Sequence, residues 1–352
     1  MKLVQLLCVG LSLVLTGQSG KAQDCGQTIS GSLEARIEKL RALFVEPTYV
    51  CSLTLIVRES EALESLADRE GIDARFAIRE LILDLVEDAS KPVDRRLELL
   101  QAWTANTPPA SKRPSTEILA DVAILVNAAE SFGSLEGMSG SLGATLLAVR
   151  THQSLPTTAR KTPSWIFSIR LPGMDVHMHV GGLAALAEQV RGDKLFEHLR
   201  SRVAHVTYYN VPAMKPGEAP QLTFDRCTNL IRLVEALDGD DPNLPSNWQW
   251  RPIMESGAAF AKLGRTNEAN RQIGRAIGLV RGIKDKNTRL YAYISLLSSL
   301  LQPVQSGYPR DVALDVVNEM KQLISTSDSK MTKEMREMVA GTLKHWNVDA
   351  GN

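Results

Sequence analysis

Residues 250–283, WRPIMESGAAFAKLGRTNEANRQIGRAIGLVRGI, decide the fold. Small residues at Gly257, Ala269 and Ala276 are interleaved with the larger apolar Phe260 and Ile273, and Gly264 interrupts the middle. This pattern reads as two helices around a short turn, with small side chains where the helices cross. Toward the C-terminus the rhythm continues over 289–301 and 311–324, and a last amphipathic helix is expected from about Ser329 to His345. Toward the N-terminus, apolar residues at helical spacing predict helices over 32–44, 50–67, 74–86, 93–103, 117–131, 183–206 and 222–237.

Three stretches interrupt this succession. Breakers over 104–116, including Pro108, Pro109 and Pro114, read as an exposed linker. Alternating residues over 165–180, around Pro172 and Gly173, predict one small β-hairpin. A long loop over 238–251 carries Trp248 and Trp250. The expected fold is all-α, built of stacked antiparallel helical hairpins with that one β-hairpin. Its expected divisions are a leader at 1–22, an N-terminal helical module at 23–110, a middle region at 111–250 and a C-terminal helical part at 251–352.

Counted as a 34-residue unit from Trp250, the stretch resembles the tetratricopeptide repeat family. Gly257, Phe260, Gly264, Ala269, Ile273 and Ala276 fall where that family keeps small or large residues, although Ile253 stands in place of its tryptophan and Arg281 in place of its proline. The resemblance implies a solenoid whose inner groove is faced by Arg251, Met254, Ala258, Ala261 and Lys262. In such a groove the small residues leave room for a partner's backbone, Arg251 and Lys262 favour an extended acidic peptide, and Trp248 is an apolar anchor at the rim.

Met1 and Lys2, then a largely apolar run from Leu3 to Leu15, then Gly20, Lys21 and Ala22 follow the order of a cleaved secretory signal peptide. An exported chain without Asn-x-Ser/Thr points to the bacterial periplasm. Acidic and basic residues balance at 40 each, so the composition argues against nucleic acid as a partner. The apolar run is too short for a membrane span, which takes about 20 residues. Of the four cysteines, Cys8 belongs to the leader, Cys25 and Cys51 are the expected disulfide, and Cys227 lies on an apolar helix face with Phe224, Ile231 and Val234.

Chemistry-bearing motifs are few. His177 and His179 share one face of the expected strand, the arrangement of a metal-dependent hydrolase, but His198, His205 and His345 lie on helices and do not complete such a site. Asp238–Asn243 has acidic density for calcium without the glycine and glutamate of a calcium loop. With no catalytic set, cofactor or metal site expected, the sequence predicts a protein- or peptide-binding scaffold or accessory factor of the bacterial envelope. The alternatives are the hydrolase and a structural subunit of an envelope machine for motility or secretion.

Overall fold

The computed structural model describes residues 31–43, 74–132, 137–161, 179–209, 217–239, 241–325 and 333–346. Every regular element among them is helical, and the chain divides into two compact units, Met1–Thr107 and Pro108–Asn352. No described helix is long and apolar enough to cross a membrane. The leader at 1–22, Cys25, Cys51, the helix expected over 50–67 and His177 lie outside the described residues.

In the first unit, α1 (Leu33–Leu43) touches α2 (Ala74–Glu87), which packs on α3 (Val93–Asn106). Leu81, Ile82, Leu85 and Val86 of α2 and Leu99 and Leu100 of α3 are buried. Burying each such side chain is worth about 1.5–3 kcal/mol. Asp88 accepts from the backbone N–H and the hydroxyl of Ser90 in the turn that follows α2. Pro92 then precedes α3, where its missing N–H leaves no helix donor unused.

The second unit opens on a 3-10 turn, Ala110–Lys112, followed by α4 (Ser115–Ser131) and α5 (Met138–Gln153), which pack closely on each other. The expected exposed linker is therefore partly ordered. Arg113 folds back onto α4 in an ion pair with Asp121, the two side chains only 7% and 5% exposed, and its Nε lies 3.5 Å from Glu117.

The single helix expected over 183–206 is two, α6 (Val180–Gln189) and α7 (Glu197–Tyr209), with a 3-10 turn at Lys194–Phe196 between them. Gly192 takes φ +73° and the Asp193 carboxylate accepts from the Leu195 N–H, so the chain turns where the apolar pattern alone runs on. The β-hairpin expected over 165–180 lies outside the described residues as far as 178. At its end His179 stands just before α6 and Val180 is the first residue of that helix, so no strand reaches 180.

There follow α8 (Pro220–Ala236), α9 (Trp250–Lys262), α10 (Thr266–Arg281), α11 (Lys286–Gln305), α12 (Arg310–Ser325) and α13 (Lys333–His345). One core of buried side chains runs from Met138 to Trp346. The expected division at 250–251 falls inside it, where α8 packs on α9. α9 is its centre and contacts α7, α8, α10 and α11. Its closest neighbour is α10, and the reason is Gly257: a Cβ there would come within 2.8 Å of the Ile273 side chain and 3.2 Å of its backbone nitrogen. Opposite this crossing Ala269, Ile273, Ala276 and Ile277 are buried.

Arg–Glu pairs tie successive helices on the surface: Glu188 to Arg232 at 2.9 Å between α6 and α8, and Glu235 to Arg275 at 2.8 Å between α8 and α10. Arg281 of α10 then meets Glu319 of α12 through two nitrogens, and the Tyr293 hydroxyl of α11 donates to the same carboxylate at 2.8 Å. Exposed pairs of this kind are each worth about 0–1 kcal/mol, so they fix register more than stability.

Candidate functional site

An almost wholly apolar helix must be buried, and α9 is. Trp250, Pro252, Ile253, Met254 and every residue from Ser256 to Ala261 are buried, leaving Arg251 and Glu255 half-buried and Lys262 exposed. Spacings of four and seven residues put these three on one face of the helix, with Ala258 between Glu255 and Lys262. This strip is the surface that α9 presents, bordered by α7 and α11.

The Arg251 guanidinium lies over the ring of Tyr208 from α7, 5.3 Å from its centroid. Tyr208 meets Tyr209 edge to face at 4.9 Å, and Tyr209, 54% exposed, lies 4.5 Å from the exposed His205 with the two rings tilted by 47°. Stacking on an aromatic face holds a guanidinium in place while leaving its edge donors available. One turn along α9, Glu255 accepts a hydrogen bond from the Ser299 hydroxyl of α11 at 3.3 Å. Burial pushes the Glu255 carboxyl above its usual range, against the lowering effects of Ser299 and of Arg251. At the far end, beyond the exposed Lys262, Arg265 lies over the Phe224 ring, which in turn packs 5.5 Å from Phe260. Among the described residues neither Arg251 nor Lys262 has a carboxylate within ion-pair distance.

The groove expected from the sequence is narrower than its residues implied. Trp248 and Met254 are 0% exposed, and Ala258 and Ala261 are 8% and 9% exposed. Trp248 is a core side chain and not a rim anchor, because Asn247 beside it, in a left-handed conformation at φ 56°, donates from Nδ2 to the Leu279 carbonyl of α10. Met254 is covered because four helices surround α9. Arg251 is half-buried at one end of α9 and Lys262 exposed at the other. Glu255 and Tyr208 were missed, although a lone carboxylate within an otherwise apolar helix was a signal in the sequence.

Cys227 is buried on α8 beside Ser256, and burial pushes its thiol up to about 11, which keeps it protonated and unreactive at neutral pH. His198 and His205 are exposed on α7 and His345 on α13. No group of three or more His, Cys, Asp or Glu among the described residues is placed to hold a metal ion. No family model matches the chain, and neither a curated protein nor a solved structure does.

Proposed function

We propose that this chain is an exported periplasmic protein that binds a protein or peptide partner, as a scaffold or accessory factor of the bacterial cell envelope. Its second unit is then a tetratricopeptide-like stack of hairpins. In support of the stack, α7, α9, α11 and α13 touch in sequence on one side, while α6, α8, α10 and α12 follow one another through Arg–Glu pairs. Hairpins that contact only their neighbours build elongated surfaces suited to binding chains. The export reading rests on the order of charge, apolar run and small residues over 1–22.

The observation that carries the binding reading is the strip of α9, where among the described residues neither Arg251 nor Lys262, at either end of an otherwise buried helix, has a carboxylate within ion-pair distance. Surface cations with no carboxylate in hydrogen-bond contact favour carboxylates brought by a partner, because charge-assisted hydrogen bonds are roughly twice as strong as neutral ones. Replacing both by glutamate, Arg251→Glu with Lys262→Glu, is expected to weaken capture of the partner from envelope extract by about 1–3 kcal/mol, with the circular dichroism and the urea midpoint retained. Unchanged capture by the folded double variant would refute the assignment.

A further inference from the structure

Glu255 lies between the two cations of the strip, and this placement specifies what a partner must carry. An ionised carboxylate accepts at about four lone-pair positions. Glu255 is half-buried and, among the described residues, receives one hydrogen bond, from Ser299. A uniformly acidic segment laid along α9 would set like charge against this carboxylate, and like-charge juxtaposition in an interface costs several kcal/mol. A segment that brings a cation to the same place removes the repulsion and supplies the missing donors.

The helix also fixes the spacing. At about 1.5 Å per residue, Glu255 stands roughly 6 Å along α9 from Arg251 and Lys262 roughly 10 Å further on. An extended chain advances about 3.3 Å per residue, so these intervals correspond to two and three residues of a partner. The ends of the pattern differ in character. Arg251 lies on the Tyr208 ring, next to the exposed Tyr209, whereas Lys262 is an exposed cation in water.

Resting on the partner-binding reading above, we propose that the α9 strip takes an extended segment of mixed charge, acidic-x-basic-x-x-acidic as read from Arg251 to Lys262, with its lysine or arginine opposite Glu255. Charge order then selects the partner, since a segment of greater negative charge binds less well than one interrupted by a cation.

The test uses the full-length processed protein and labelled synthetic peptides at low ionic strength, read by fluorescence polarisation. One pair carries Glu-Ser-Lys-Ser-Ser-Glu in both chain directions, and a control has glutamate in place of the lysine. The wild type is expected to bind at least one mixed peptide about tenfold or more tightly than the all-acidic control. Glu255→Gln is expected to shrink this preference to about threefold or less and Glu255→Lys to reverse it. Circular dichroism establishes that the variants fold, and if Glu255→Lys does not, Glu255→Gln alone decides. A wild type that binds the all-acidic peptide equally well or better overturns the charge-order proposal while leaving the strip as a binding surface, as does a preference unaltered in Glu255→Gln. Failure of the wild type to bind any of the peptides overturns the strip itself.

Discussion

Trp248→Ala is expected to lower the stability of the second unit by about 3–5 kcal/mol, the range for removing a fully buried aromatic side chain. Trp248 has no exposed surface and belongs to the core that runs from Met138 to Trp346. Its truncation leaves a cavity beside the 241–249 segment, whose attachment to α10 through Asn247 restricts collapse. A domain is stable by only about 5–15 kcal/mol, so the loss is a large share of the total. Trp248→Phe should lose much less, because the indole nitrogen is buried with no hydrogen-bond partner among the described residues and removing it relieves an unsatisfied donor. Urea titration of the three proteins measures both effects. A surface anchor would behave in the opposite way, with full stability and weakened binding.

The second large effect belongs to the ion pair of Arg113 and Asp121. With both side chains nearly enclosed, removing Arg113 strands the Asp121 charge away from water, whereas removing Asp121 leaves Arg113 with Glu117 at 3.5 Å. Arg113→Ala is therefore expected to cost about 3–5 kcal/mol and Asp121→Ala less, whereas Arg113→Met combined with Asp121→Leu, which leaves only the more exposed Glu117 without its cation, should recover most of the Arg113→Ala loss. The comparison of single with double variants in urea separates a buried pair from simple loss of packing. If each single variant loses under about 1 kcal/mol, the pair behaves as an exposed one.

Helix existence was legible because apolar periodicity is local. The 222–237 pattern became α8 at Pro220–Ala236, and 93–103 became α3 at Val93–Asn106. Gly257 was legible as a crossing point for the same reason, since a missing side chain matters wherever helices touch. The break at Gly192 was not, because apolar residues on either side of it keep helical spacing while a single positive φ redirects the chain. The burial of Trp248 was also hidden. A tryptophan among Asp, Pro and Asn residues looks exposed until the loop is seen pinned to α10, which is a long-range contact. The site was half legible. The shared face of Arg251 and Lys262 follows from helical spacing alone, but the fate of Met254 depended on how many helices surround α9. Glu255 acquired its meaning only from Ser299, 44 residues later in the chain.

The central claim, that the uncovered strip of α9 is where a partner docks, is tested most directly by site-specific photocrosslinking in intact cells. A benzophenone amino acid is placed at Lys262 on the strip and, as a control, at the exposed Arg271 on α10. Irradiation is expected to give a discrete adduct from position 262 that disappears when Arg251→Glu is added, and none from position 271. An adduct from 271 with none from 262, or one from 262 that survives Arg251→Glu undiminished, would contradict it.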